Sequence, residues 1–247
     1  MAPSRRDLLG KAGLLGAGLL LGQLLPTAAE AAPIGPLLRA RLQACSPRSQ
    51  PLQALLEGNQ RFVAAWAGAR QAASPQLRMQ ALKQAYNDDC QIDPQALAKG
   101  QRPWAAVLSC ADARVPVEWL FNAGAGELFQ VRIAGNSAFD DGIASLEYAV
   151  DSLQVPLVLV LGHSGCGAVQ AAMGQGPLSP LLETLVAPIR ASLLPGDDLT
   201  GAIQANARYA AAQLPQRSAL LSQAQARGKL SIQPAYFEIA SGQVSLL

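Results

Sequence analysis

One segment constrains this chain more than any other. Val155-Pro156-Leu157-Val158-Leu159-Val160-Leu161 is an apolar run, and Gly162-His163-Ser164-Gly165-Cys166-Gly167 follows it directly. The run reads as a buried strand, the glycines as a tight turn, and Ala168-Val169-Gln170-Ala171-Ala172 as the opening of a helix. The turn carries a cysteine and the only histidine in the chain. A second apolar run, Ala105 to Leu108, ends in Cys110, with Asp112 and Arg114 just beyond. These two strand ends are where chemistry is expected.

Strands and helices alternate on both sides of that segment. Strands are predicted at Trp104 to Ser109, Leu128 to Ile133, Val155 to Leu161, Lys229 to Phe237 and Gln243 to Leu246. Helices are predicted at Val117 to Phe121, Ile143 to Leu153, from the His163 turn to about Met173, between Pro177 and Pro195 with proline breaks, at Thr200 to Gln213, and at Arg217 to Arg227. Ala96 to Pro103 reads as a turn region, and Ala134-Gly135-Asn136 as another. The expected fold class is therefore α/β, a mostly parallel central β-sheet flanked by helices. An N-terminal helical arm precedes it: Leu52, Leu55, Leu56, Phe62, Val63 and Trp66 recur at helical spacing, with Gly58-Asn59 interrupting but not ending the pattern. Residues 76–86 read as a second, shorter helix. The arm's apolar stripe must be covered by its own core or by another subunit.

At 247 residues, half of them hydrophobic, the chain suits one such domain. A net charge of +2 gives no basic footprint for nucleic acid. Gly124 and Gly126 form no G-x-G-x-x-G after a strand and read as turn residues.

The first 31 residues read as a signal segment rather than as part of the fold. Ser4-Arg5-Arg6-Asp7-Leu8-Leu9 is a twin-arginine pair ahead of an apolar run, Ala12 to Leu25, and Ala29-Glu30-Ala31 is an A-x-A cleavage signal. The run is too short and too interrupted to span a membrane stably. The expected organisation is a twin-arginine-type signal peptide, 1–31, and a single α/β domain, 32–247. Export to the periplasm, or to a thylakoid lumen where the source has thylakoids, follows from that signal. The mature chain is expected to have no stable membrane span. Cys45 and Cys90 read as free, buried and inert, or as one disulfide.

Functional groups in an open parallel sheet gather beyond the carboxyl ends of strands, at a switch in strand order. Two thiolates and one imidazole from such ends suit zinc with one position left open, the pattern of a catalytic rather than a structural site. Cys166 also begins a helix, whose dipole favours the thiolate. The spacing alone also accommodates a hydrogen-bonded turn histidine beside a core cysteine, or Cys166 as a nucleophile with His163 as its base.

Four blocks weigh further: Ser109-Cys110-Ala111-Asp112-Ala113-Arg114-Val115-Pro116, Glu127 to Asn136, Ser145-Leu146-Glu147-Tyr148-Ala149-Val150, and Leu161 to Val169. In order and spacing they resemble the β-class carbonic anhydrases, and the resemblance extends upstream to Leu55-Leu56-Glu57-Gly58-Asn59-Gln60-Arg61-Phe62. It implies that Cys110, His163 and Cys166 hold one Zn2+ per subunit. It further implies that Asp112 and Arg114 form a catalytic pair, with zinc-bound hydroxide attacking CO2 to give bicarbonate. Gln101, Phe129, Tyr148 and Gly167 match substrate-binding positions, part of that pocket coming across a subunit boundary, so a homodimer or higher homo-oligomer is implied. Two thiolates neutralise the ion, so acidifying bound water is harder than with three neutral histidines.

Three departures from the family pattern bear on the site. Ala111 and Ala113 remove hydroxyls that the family often places beside the aspartate. Val107 stands where the bicarbonate-inhibited subgroup has tryptophan, which implies that Asp112 stays off the metal. The only histidine is spent on zinc, so proton export must use water, buffer or another side chain. The alternatives are a CS2 or COS hydrolase of the same superfamily, and a non-catalytic zinc-binding or redox-sensing protein.

Overall fold

A computed structural model of the chain describes residues 49–85 and 94–247, and these belong to one compact unit. The expected signal segment, Cys45 and Cys90 lie outside the described residues. In chain order the elements are α1 (Pro51–Gln71), α2 (Pro75–Ala85), α3 (Pro94–Lys99), β1 (Ala105–Ser109), α4 (Val117–Leu120), β2 (Leu128–Arg132), a 3-10 turn (Ala134–Asn136) and α5 (Asp140–Asp151). There follow β3 (Leu157–His163), α6 (Gly167–Met173), α7 (Pro180–Arg190), α8 (Leu199–Arg217), α9 (Ala219–Ala226), β4 (Ser231–Glu238) and β5 (Gln243–Leu246).

The sheet order is β2-β1-β3-β4-β5. The first four strands run parallel, and β5 returns antiparallel on β4. From β1 the chain goes to β2 on one side, then crosses back to β3 on the other. That reversal opens a crevice beyond the carboxyl ends of β1 and β3, which is where Cys110 and His163 lie. The mostly parallel α/β expectation holds.

The apolar run of β3 is continuous because both faces of the sheet are covered. On one face Val107, Leu159, Leu161, Ala235 and Phe237 pack against α1 and α4 residues. On the other, Leu108, Val158 and Val160 pack against Leu146, Ala210, Leu214 and Leu221 of the remaining helices. A third cluster, with Cys110, Cys166, Val169, Val186, Ile189 and Ile203, closes the end of the sheet where the crevice opens.

The helical arm buries its stripe on its own core, through Leu55 and Phe62. Gly58-Asn59 turns out to be its tightest contact rather than an interruption. A Cβ on Gly58 would come within 1.9 Å of the Phe121 carbonyl oxygen. Asn59 donates to the Leu120 and Gly242 carbonyls and accepts from the Val244 N–H, tying α1 to α4 and to the β4–β5 turn.

Three local expectations need correction. Residues 94–99 form α3, not a turn: a proline is well tolerated in a first helical turn, and Gln-Ala-Leu-Ala-Lys are strong helix formers. Helix α8 runs on through Pro215 to Arg217, because burial of Leu214 outweighs the lost backbone bond. His163 is the last residue of β3, paired with Phe237, rather than part of the turn after it. Gly162 allows this extension, since a Cβ there would press on Ile203 at 3.1 Å.

Candidate metal centre

Each of the three donors is delivered by the end of a regular element. Cys110 follows β1 directly. Its sulfur accepts from the Gly135 N–H at 3.3 Å, and its carbonyl accepts from Arg132 Nε at 3.2 Å. Arg132 Nη2 also donates to the Asp112 carbonyl at 2.8 Å, so one guanidinium holds both ends of the Cys110–Asp112 turn. Cys166 is the N-cap residue of α6, so its sulfur stands at the positive end of the helix dipole. Gly165, at φ 64°, makes the turn between β3 and Cys166.

His163 is fully buried. Its Nδ1 lies 3.1 Å from the Ser164 carbonyl oxygen. A carbonyl can only accept, so Nδ1 carries the hydrogen and Nε2 keeps its lone pair. Nε2 has no hydrogen-bond partner. An orphaned acceptor in a dry interior is costly and calls for an explanation. The explanation lies in its surroundings: among the described residues, Cys110, His163 and Cys166 form a cluster whose ligand atoms all fall within 4.8 Å of one another.

The two sulfurs are 4.0 Å apart, with both cysteines free. A tetrahedral zinc with bonds of about 2.3 Å would set its sulfurs about 3.8 Å apart. Chemistry and spacing of the donors thus fit a zinc ion. Their ionisation points the same way. The Cys166 thiol, donating to the Cys110 sulfur, is the main cause that holds Cys110 down at about 4. Cys166 is pushed up by that same bond and by burial. The pair surrenders one proton readily and holds the second, because two thiolates this close repel unless a cation lies between them.

Asp112 stands at the edge of the cluster. Its carboxylate accepts from Arg114 Nε at 3.0 Å, from Nη2 at 2.6 Å, and from the Arg114 backbone N–H at 2.9 Å. The guanidinium hydrogen bond is the chief reason its carboxyl sits at about 2. Arg114 Nη2 also reaches the Gly165 carbonyl at 3.1 Å, bridging the two strand-end turns. Asp112 Oδ2 is 3.8 Å from His163 Nε2. The acid is therefore beside the donors yet engaged by the arginine. Gly167 opens α6 next to Cys166, and a Cβ built on it meets nothing within 4 Å.

The other sequence candidates are elsewhere in the chain. Gln101 is exposed and precedes β1, at the opposite end of that strand from Cys110. Trp104 continues the pairing backward through its bond to Glu127, so the strand alone separates Gln101 from the cluster by roughly 15 Å. Phe129 pairs with Ala106, four residues and about 13 Å short of Cys110 along the strand. It meets Tyr148, ring centroids 6.2 Å apart, on the edge strand, and Tyr148 is half exposed. The structure brings these two aromatic residues together but not onto the cluster of their own chain.

Sequence reasoning gave no role to Gly135, Arg132 or Asn206, the last of which donates to the Gly135 carbonyl at 2.7 Å from a buried position. A glycine between a strand and a helix was the available signal for the first. Asn206 lies 71 residues away and has no local signature.

A family model described as carbonic anhydrase matches residues 105–244. A carbonic anhydrase of Mycolicibacterium smegmatis is 34% identical over 212 residues, covering 81% of this chain and 95% of that one. Among solved structures, the Coccomyxa β-carbonic anhydrase in complex with acetazolamide aligns with a TM-score of 0.58 at 29% identity, over 72% of this chain and 86% of that one. One of two tetrameric β-carbonic anhydrases from Sordaria macrospora aligns at 0.55 and 25% identity, over 62% and 84%.

Proposed function

Because the chain belongs to the β-carbonic anhydrase family and is an enzyme of it, we propose that it interconverts CO2 and bicarbonate at one Zn2+ held by Cys110, His163 and Cys166. The observation that carries this reading is the buried, unpartnered His163 Nε2 facing two cysteine sulfurs. A zinc ion bound there would supply the Lewis acidity that makes an oxygen nucleophile available, less strongly than an ion held by three neutral histidines would.

The chain's own residues do the rest. The Gly135 N–H holds the Cys110 sulfur by a hydrogen bond, and Cys166 is fixed as the N-cap of α6. Asp112, kept ionised by Arg114, can only accept, so it would accept a hydrogen bond from the attacking oxygen and orient that oxygen's lone pair toward CO2. The open space at Gly167 receives the product, with a backbone N–H at the helix start facing the anion. The released proton leaves through water or buffer, since the only histidine is a ligand.

Gln101, Phe129 and Tyr148 serve the site of a neighbouring copy in a homodimer or larger assembly. Their placement away from their own cluster and the half-exposed Tyr148 support this, as does the tetrameric Sordaria relative. Twin-arginine export of the folded domain, to a periplasm or thylakoid lumen, rests on residues 1–31 alone. Among the described residues no helix is long and apolar enough to cross a membrane. Mass spectrometry of the exported chain should find a new N-terminus near Ala31.

Metal analysis paired with stopped-flow CO2 hydration tests the central reading. Wild-type protein should hold close to one zinc per chain and turn over. Cys110→Ser should lose zinc and activity together. Asp112→Asn should keep zinc while hydration falls about 100-fold. Unchanged activity in Cys110→Ser refutes the ligand set. The same protein assayed with CS2 and COS decides between CO2 and those substrates.

A further inference from the structure

A histidine ligand is only as well placed as the group that holds its other nitrogen. Here that group is the Ser164 carbonyl, so whatever fixes Ser164 also fixes the direction of His163 Nε2. Three hydrogen bonds hold Ser164. Its N–H donates to the Phe237 carbonyl at 2.9 Å, extending the β3–β4 pairing by one step. Its hydroxyl accepts from the Ile239 N–H at 3.0 Å and donates to Glu238 Oε1 at 2.9 Å.

We propose that Glu238 is a positioning residue for the metal: through the Ser164 hydroxyl it sets the orientation of His163. The proposal rests on the reading that His163 is a ligand, and goes beyond it by assigning a role to a side chain 75 residues away. Glu238 is suited to the task because its carboxylate is itself immobilised. Oε1 also accepts from the Ala240 N–H at 3.1 Å, and Oε2 accepts from the Tyr236 hydroxyl at 3.1 Å. An ionised carboxylate accepts all three donors at once, which no neutral side chain of that length can do. The Ala240 N–H is the main cause that keeps the Glu238 carboxyl below its ordinary range. The turn that follows is anchored in turn, since Asn59 of α1 binds the Gly242 carbonyl and the Val244 N–H. A continuous line of hydrogen bonds thus runs from the helical arm through the β4–β5 turn to the histidine.

Two explanations of Glu238 give different results: a brace for the hairpin, and a brace for the ligand. Zinc affinity, measured by competition with a chromophoric chelator, separates them. Glu238→Ala and Ser164→Ala should each weaken zinc binding about 10- to 100-fold. The double variant should be no weaker than the worse single, because both remove one linkage. Cobalt-substituted Glu238→Ala should show altered ligand-field bands. Glu238→Gln, which can still accept from Ser164, should recover most of the affinity. Tyr236→Phe, which leaves the Ser164 bond intact, should bind zinc as the wild type does.

Wild-type zinc affinity in Glu238→Ala or Ser164→Ala overturns the proposal, even if the melting temperature falls. So does additive weakening in the double variant. If Glu238→Ala does not fold, Glu238→Gln binding zinc as poorly as Cys110→Ser has the same force. A wild-type chain that binds no zinc would overturn the ligand assignment itself, a result distinct from tight wild-type binding that ignores Glu238.

Discussion

Gly135→Ala is the sharpest test of how the fold builds the site. Gly135 has φ 78° and ψ 12°, donates its N–H to the Cys110 sulfur, and gives its carbonyl to Asn206. A left-handed backbone costs an L-residue roughly 1–2 kcal/mol. The new Cβ would lie 2.5 Å from Ile189 Cδ1 and 3.2 Å from the Ala168 Cβ. Overpacking of this kind costs about 1–3 kcal/mol. The lower half of that range applies, because Ile189 Cδ1 ends a side chain that can rotate while the Ala168 Cβ cannot. The expected loss is about 2–4 kcal/mol, read from urea unfolding of the metal-free protein with the slope unchanged. Ile189→Val removes the clashing methyl at a cost of about 0.5–1.5 kcal/mol alone. The double variant should be about 1 kcal/mol more stable than additivity predicts. Zinc should bind about tenfold more weakly to Gly135→Ala, since the N–H no longer meets the sulfur squarely. Stability within 0.5 kcal/mol of wild type, or strict additivity with Ile189→Val, would refute the reasoning.

Other outcomes follow from the same geometry. The Asp112 carboxyl should titrate near pH 2 in carbon NMR of the metal-free protein. Because its folded value lies below the unfolded one, its stabilisation is complete above about pH 4 and is lost as pH falls through about 2. Arg114→Ala should return the titration toward the ordinary carboxylate range, and a value that stays near 2 would show that the arginine is not the cause. Zinc added to the metal-free protein at pH 7 should displace close to one proton from the thiol pair rather than two. Two thiolates 4.0 Å apart repel, so the pair shares one proton until a cation arrives; calorimetry in buffers of different ionisation enthalpy counts the protons, and a count near two contradicts the reasoning. Asn59→Ala leaves three buried backbone groups without partners and should cost about 3 kcal/mol. Hydrogen exchange should localise the loss to the β4–β5 turn, and a cost under about 1 kcal/mol would mean that water replaces the side chain.

What could be read in the sequence was what is local in the sequence. Cys110 and His163 each end an apolar run, and a run that ends in a chemically special residue is visible without knowing its neighbours. Alternation of strands and helices implies a mostly parallel sheet, which the structure has; the order that sets β1 beside β3 and brings those ends together is not legible in it. The end of β3 is not legible locally: Gly162 looks like a turn residue, whereas it is a strand position pressed by Ile203 from α8. The helix expected to end at Gln213 runs on through Pro215 to Arg217, because the burial of Leu214 is decided by a sheet face that no local pattern shows. Gln101, Phe129 and Tyr148 stood out by resemblance, and the fold of one chain keeps them from its own cluster. Asn206 and Glu238 were silent for a simpler reason: each acts on a partner more than 70 residues away, through one hydrogen bond.

That difference has an energetic side. The donors sit on the most deeply buried strand ends, where a polar atom without a partner is most expensive, and the metal-free fold carries such an atom in His163 Nε2 together with a pair of sulfurs that cannot both ionise. A flexible loop would relieve both by turning outward. This one is prevented from doing so by Arg132 across the Cys110–Asp112 turn, by Arg114 between the two strand ends, and by Glu238 behind Ser164. The braces hold three donors in an arrangement that is unfavourable without a cation and favourable with one, so part of the ion's binding energy becomes stability of the folded chain.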